Sequence, residues 1–312
     1  MKTCVIFNPA AKGQKAERLR ERLDIISQHA ALKQTAAAGD ARRLAAEAIA
    51  EGCDTIIAAG GDGTINEVLN GIGDAKAFNR VRLGVLPLGT VNVFARELKI
   101  PTNPAKAWKL ILRGRYTRID LGWAEFSKEG KLERQHFTQL AGAGLDARAI
   151  ELVNWQQKKK IGALAYVVAG LKALRERQPQ ITVRSSAFRQ SGDSDEPNRL
   201  KAEPQTVTGE LVLLGNGKLY GGSHRIFPEA DLRNGLLEVC VFPKVNWAVL
   251  LRCGLTLLVC RKLPESVVQR LQAARVELSA TPAAAFELDG EWAGRLPATF
   301  GVEQGRLRVI VP

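Results

Sequence analysis

Residues 56–72, IIAAGGDGTINEVLNGI, constrain the fold more than any other stretch of the chain. Ile56, Ile57, Ala58 and Ala59 read as a buried strand. From Ile65 the apolar residues Ile65, Val68, Leu69 and Ile72 recur at helical spacing, while Asn66, Glu67 and Asn70 fall off that stripe. Between strand and helix lies a glycine-rich turn, Gly60-Gly61-Asp62-Gly63-Thr64. At such a junction the backbone N–H groups and the helix dipole point at whatever sits beyond the strand end, which suits a phosphate. The alternative is a tight turn that needs only glycine dihedrals.

The same alternation runs through the first 120 residues. KTCVIFN, LKQTAA, DTIIAAGG and RLGVLPLG read as strands. KAERLRERLDIISQHA, GDARRLAAEAIAEG, INEVLNGI, NVFARELKI and NPAKAWKLILRG read as helices, the second with Asp40 as its cap and Gly52 as its end. This βαβα order implies an open, largely parallel sheet with helices on both faces over residues 1–120. After Asp120 short runs such as RIDLGWAEF, TGELVLLGNG, GLLEVCVF, AAFELDGEW and GRLRVIVP alternate with turns, which implies a mainly antiparallel β domain over 121–296. Helices at KKKIGALAYVVAGLKALRER and at 247–260 interrupt it, and RQSGDSDEPNRLKAEP reads as a hairpin loop.

A formal net charge of +13 favours something anionic as a partner: nucleic acid, an acidic membrane surface or a phosphorylated substrate. The basic residues are dispersed and come with no zinc-finger spacing, RNP-like aromatic motif or basic tail, so no nucleic-acid partner is expected. Cys4, Cys53, Cys240, Cys253 and Cys260 sit singly in apolar stretches, as reduced core thiols of a cytoplasmic protein do. Residues 1–7 read as a strand rather than a signal peptide. The run WAVLLRCGLTLLVC is too short to span a bilayer and is expected to pack in or between domains, an interfacial helix being the alternative.

Three further segments point at phosphates. Asn8 and Pro9 end the first strand ahead of Gly13, Thr35 ends a short strand, and Gly89 and Thr90 end the strand LPLG. Strand ends on one edge of such a sheet converge on one crevice. The P-loop pattern, a G-x-G-x-x-G after the first strand and the HRD and DFG kinase elements are all absent.

Taken in order, NP-x-x-x-G, GGDGTINEVLNG, PLGTVNVFAREL, PEADLRNGLLEV and FELDGEW resemble the diacylglycerol kinase catalytic-domain family, which includes bacterial lipid kinases and sphingosine kinases. NAD kinases share GGDG on a related fold but have no counterpart to PLGTVNVFAREL. The resemblance implies an α/β nucleotide-binding domain with an NAD kinase-like open parallel sheet, then a β-sandwich-like domain. Residues 297–312 would pack back on the first domain, and ATP would lie in the cleft between the two.

Carried over by position, Asn8, Thr35, Gly60, Gly61, Asp62, Gly63, Thr64, Ile65, Asn66 and Thr90 would hold ATP. Glu291 would be the general base toward a lipid hydroxyl, with Asp289 in reserve. Asp62 and Asp120 would place the catalytic Mg²⁺. These roles fit the chemistry, since a hydroxyl nucleophile needs a carboxylate in reach and the moving phosphoryl needs donors and positive charge. Asp289-Gly290 also reads as a plain hairpin turn followed by an exposed acid. The family's structural-metal loop usually ends in Asp-Gly. Here it is Asn234-Gly235, with the backbone carbonyls of Asp231 and Leu236 as the other ligands, so a charge is missing.

The implied activity is ATP-dependent phosphorylation of diacylglycerol or a related lipid. NAD kinase-like phosphorylation of a soluble acceptor and a catalytically retired nucleotide-binding regulator are the alternatives. Expected partners are a lipid substrate and, peripherally, an anionic membrane surface, with a homodimer left open. His29, His136 and His224 share no metal-ligand spacing and are expected in surface or turn roles.

Overall fold

A computed structural model describes residues 2–9, 17, 23–153, 164–185, 189–190, 205–260 and 262–312. Gly13, Lys158–Lys160, much of the first half of the first expected helix and nearly all of the loop RQSGDSDEPNRLKAEP lie outside these residues. The chain divides into two compact units. One comprises Met1–Leu121, Gly221–Ser223 and Glu303–Pro312, the other Gly122–Tyr220 and His224–Val302.

The first unit begins β1 (Thr3–Phe7), α1 (Leu23–Ser27), β2 (Ala31–Gln34) and α2 (Asp40–Ala50). It continues β3 (Thr55–Gly60), α3 (Asp62–Asp74), β4 (Arg82–Pro87), α4 (Val93–Glu97) and α5 (Pro104–Arg113). The strands run in the order β2-β1-β3-β4, all parallel. Every residue of β1 and β3 is buried, as strands covered on both faces require. Ile65, Val68, Leu69 and Ile72 form the buried stripe of α3. Gly71 lets α2 and α3 touch: a Cβ there would lie 2.2 Å from the Arg42 carbonyl oxygen.

Two local expectations are corrected. Helix α3 begins at Asp62, not Ile65, so Asp62, Gly63 and Thr64 are its first turn and Gly61 is its cap. Asp40 does not cap α2: its Oδ2 accepts from the N–H groups of Ala36 and Ala37 in the preceding turn. Glu67 of α3 does that work instead, accepting from Gly39 N–H and Ala41 N–H at 2.9 and 3.0 Å.

The rest of the chain is mostly strand. In order come β5 (Tyr116–Lys128), β6 (Lys131–Phe137), β7 (Leu140–Gly144), α6 (Leu145–Leu152) and α7 (Leu164–Arg175). Then follow β8 (Ile181–Ser185), β9 (Arg189–Gln190), β10 (Gln205–Gly209), β11 (Leu211–Gly215), β12 (Leu219–Tyr220) and β13 (His224–Arg225). The chain ends with β14 (Leu237–Phe242), α8 (Trp247–Cys260), β15 (Gln269–Ala273), β16 (Arg275–Ala280), β17 (Ala285–Leu288), β18 (Glu291–Arg295) and β19 (Ala298–Ile310).

In the second unit one antiparallel sheet runs β18-β17-β7-β11-β14-β15-β9. A second set of antiparallel strands runs β10-β8-β16 and on to Ala298–Gly301 of β19, with the β5–β6 hairpin. Between them lies a core of Phe126, Phe137, Val212, Val239, Phe286 and Phe300, with Phe286 edge-on to Phe126 and Phe300 at 4.9 and 5.5 Å. This is the β-sandwich that the sequence implies. Strand β11 shows how it is built: Val212 and Leu214 enter this core, while Leu211 and Leu213 face a second core with helices α6, α7 and α8. At its far end β19 changes company, Arg308 and Val309 pairing in parallel with β4 of the first unit.

Cys4, Cys53, Cys240 and Cys253 are buried free thiols. Burial pushes the Cys4 thiol up to about 12, which keeps it protonated and unreactive.

Candidate active site

Because β1, β2, β3 and β4 are parallel and in register, their carboxyl ends share one edge. The structure therefore brings Asn8, Thr35, Gly60–Asn66 and Thr90 to the same end of the sheet. Asn8 N–H donates to the Ala59 carbonyl, Thr35 N–H to Phe7 and Leu88 N–H to Gly60.

Glycine is demanded here by close approach. A Cβ on Gly60 would lie 2.3 Å from Thr64 Oγ1, and one on Gly89 would lie 2.7 Å from the Gly61 Cα. At Gly61 itself a Cβ would meet only the Gly89 Cα, at 3.4 Å, so the fold leaves room that a side chain could enter. Gly61 has φ −89°, ψ −172° and brings no capping side chain to the N-terminus of α3. First-turn N–H groups without a side-chain cap, on a thirteen-residue helix, face the strand edge. A polyanion fits this cradle.

The neighbouring turn is locked from within. Asn92 is fully buried in the left-handed conformation, φ 53°, and its Nδ2 donates to the Gly89 carbonyl while its Oδ1 meets no donor. Asp62 Oδ1 accepts from Phe94 N–H at 3.3 Å, tying the first turn of α3 to the start of α4. Asp120 is buried in β5, and its Oδ1 accepts from Gly305 N–H at 2.8 Å.

In the second unit Asp289 (φ 50°) and Gly290 (φ 87°) form the tight turn between β17 and β18. Both are left-handed, which is why an Asp-Gly pair stands there. Glu291 follows as an exposed residue at the start of β18. Asp289 is not placed as a spare base. Its carboxylate accepts from Thr138 N–H, Thr138 Oγ1, Gln139 N–H and Leu140 N–H at 2.7 to 3.1 Å, so both oxygens are spent on the loop before β7.

Asp289→Ala would strand those donors, three of them backbone groups of buried residues, and put alanine at positive φ. Hydrogen bonds to a charged group and unmade buried donors predict a loss of about 3 kcal/mol or more. Urea denaturation of the variant measures it.

Behind this turn lies a carboxyl pair, Glu287 of the FELDGEW stretch and Asp146, that has no role among those expected from the sequence. Glu287 is fully buried in β17, and its Oε2 accepts from Gly290 N–H at 2.6 Å. Its Oε1 meets no hydrogen-bond donor. Asp146, in the first turn of α6, accepts from Tyr220 Oη at 2.7 Å. The free edges of both face Gly142: a Cβ there would lie 2.9 Å from Asp146 Oδ2 and 2.9 Å from Glu287 Oε1. Burial, and then the Asp146 charge, hold the Glu287 carboxyl well above the usual carboxylate range. Asp146 is raised by desolvation, with the Tyr220 hydroxyl opposing.

A raised folded pKa means the neutral form favours the fold. The stability contributed by protonated Glu287 is present below its unfolded pKa near 4.5 and fades as pH rises toward the raised folded value. Glu287→Gln imitates the protonated acid. Urea midpoints at pH 5 and pH 9 should fall with pH in the wild type and fall much less in Glu287→Gln.

The expected metal loop is held by its own backbone N–H groups. Asn234 Oδ1 accepts from Leu236 N–H, Asp231 Oδ1 from Arg233 N–H and the Asp231 carbonyl from Asn234 N–H. These bonds fold residues 231–236 into a tight turn, in which the expected ligands are the backbone carbonyls of Asp231 and Leu236 with the uncharged Asn234 oxygen beside them. Among the described residues no group of three or more His, Cys, Asp or Glu side chains converges on one point either. His29 and His224 are exposed, and His136 is half-buried.

Comparison with known proteins agrees with this architecture. A family model described as the diacylglycerol kinase catalytic domain matches residues 2–124. One described as the YegS C-terminal NAD kinase beta sandwich-like domain matches residues 139–311. A diacylglycerol kinase of Bacillus subtilis is 31% identical over 89% of this chain and 84% of its own length. One from Staphylococcus aureus is 30% identical over 99% of this chain and 91% of its own. The crystal structure of a diacylglycerol kinase from Bacillus anthracis superposes with a TM-score of 0.71 at 24% identity, covering 100% of this chain and 97% of that one. Yeast NADH kinase, solved with NADH, superposes at 0.53 and 10% identity over 100% of this chain and 84% of its own, a likeness of fold alone. With both units matched in order and relatives alike over almost their whole length, the chain belongs to the bacterial diacylglycerol kinase-like family.

Proposed function

We propose that the chain is an ATP-dependent lipid kinase that moves the γ-phosphoryl group to the hydroxyl of diacylglycerol or a related lipid. The observation that carries this reading is the open space beside Gly61 at the N-terminus of α3, which has no side-chain cap, with Gly89 packed closely against it. ATP supplies the phosphoryl group. The N–H groups of Gly61, Asp62, Gly63 and Thr64 bind its phosphate oxygens, with Asn8, Thr35 and Thr90 on the same edge. Asp62 fits as a carboxylate for a Mg²⁺ that arrives with the nucleotide, since Mg²⁺ needs only one or two protein carboxylates when phosphates supply the rest. Asp120, buried with its Oδ1 accepting from Gly305 N–H, would be the second carboxylate that helps place this Mg²⁺ and its waters.

Glu291 takes the proton of the lipid hydroxyl as the oxygen bonds to the γ-phosphorus, the bond to the β,γ-bridging oxygen breaks and ADP leaves. Its exposure leaves the carboxylate able to reach an incoming acceptor, and the Asp289 and Glu287 bonds fix the turn that presents it. The net charge of +13 supports contact with an anionic membrane, where such an acceptor resides.

A transfer screen with γ-labelled ATP over detergent-dispersed lipids, with NAD as one acceptor, tests the reading. Label in a lipid phosphate is the expected result. Label in NAD alone would replace it with the soluble-acceptor alternative.

A further inference from the structure

We infer that helix α8, Trp247–Cys260, is a membrane-docking element that lies in the headgroup boundary of an anionic bilayer. The sequence expectation, a helix packed in or between domains with an interfacial helix as the alternative, meets a helix with two apolar faces. Val249, Leu250, Cys253 and Leu257 face the core beneath the sheet. Trp247, Leu251, Leu255 and Val259 recur every fourth residue and are 54, 65, 55 and 81% exposed. A helix apolar on its solvent face as well as its buried face marks an interaction surface.

Charge and length select the occupant. Residues 243–264 contain Lys244, Arg252, Arg261 and Lys262 and no aspartate or glutamate. Of these, Lys244, Arg252 and Lys262 are exposed. A second copy docking on the same face would bring this positive set against itself. Anionic headgroups complement it, while the apolar stripe enters the acyl boundary and Trp247 sits at the interface that tryptophan prefers. At 1.5 Å per residue the helix is about 21 Å long, enough to lie in the plane and too short to cross. No described helix is long and apolar enough to span a membrane. The choice of bilayer over a soluble partner rests on the lipid-acceptor reading above.

The test is flotation of the full chain with phosphatidylcholine vesicles, with and without phosphatidylglycerol. Wild type should bind the anionic vesicles, and Leu251→Ser/Leu255→Ser should reduce that binding at least about tenfold. Both positions are exposed, so the melting temperature should stay put. Arg252→Glu should weaken binding and flatten its salt dependence. A double variant that floats like wild type, or a wild type that binds no vesicle, overturns the proposal. So does sedimentation showing a dimer that the double variant dissociates, which would make a second copy the occupant. Phosphorylation of a short-chain, water-dissolved diacylglycerol separates the two readings. It should be equal in wild type and variant. If it fails in both while the flotation difference holds, the kinase reading falls and the docking surface stands.

Discussion

Glu291→Gln should lower kcat at least about a hundredfold while leaving ATP affinity and thermal stability nearly unchanged. General-base catalysis contributes about a hundred to ten thousandfold, or roughly 3–5 kcal/mol of barrier. Glutamine keeps the shape of the side chain and removes its basicity. The residue is exposed on the first position of β18, so its replacement creates no cavity. Steady-state kinetics with the lipid acceptor, together with ATP titration, separate the outcomes. A fall in ATP affinity of the same size would move Glu291 into the nucleotide site. An unchanged kcat would remove it from the chemistry altogether. Asp289 is then a poor successor, because its oxygens are held by Thr138, Gln139 and Leu140.

Gly61→Val should abolish detectable ATP binding in a chain that still folds. The backbone angles of Gly61 suit any residue, and its Cβ would meet only the Gly89 Cα at 3.4 Å. The added methyl groups occupy the space through which phosphates approach the N-terminus of α3. Gly60 and Gly89 are the necessary contrast, since a Cβ at either runs within 2.3 or 2.7 Å of existing atoms. Substitutions there should lower stability as well as affinity. Calorimetry and thermal denaturation of the three variants therefore tell a binding role from a packing role. Wild-type affinity in Gly61→Val would take the cradle out of the site.

The strands and helices of the first unit were legible because each has an apolar period of its own. Helix α3 was read from Ile65, where its apolar stripe starts. Its first turn, Asp62-Gly63-Thr64, carries no apolar residue and so gave no periodic signal. The sandwich was legible as a class, from short alternating strands, but helix α6 was not: LDARAIEL follows the small-residue run LAGAG with no cap signal.

The least legible features are the buried carboxylates. Glu287 stands between Phe286 and Leu288, and Glu238 between Leu237 and Val239, each a lone acid inside a fully buried strand. That placement is a signal, since a buried charge must be neutralised or paired. The partners are what sequence could not supply. Glu238 is matched by Arg270, thirty-two residues on, and Asp146 by Tyr220, seventy-four residues on. The turn at Asn234 was illegible for a related reason, because sequence does not show that its side-chain oxygen accepts from the Leu236 N–H.

The central claim is that nucleotide phosphates rest on the strand edge between Gly61 and Gly89 at the start of α3. Glycine-selective ¹⁵N labelling tests it most directly, by following the amide resonances of Gly60, Gly61, Gly63 and Gly89 as ATP with Mg²⁺ is added. The expected result is saturable movement of these four amides, while those of Gly130 and Gly254 stay fixed. Saturable movement elsewhere with these four unmoved, or no movement of any glycine, would contradict it.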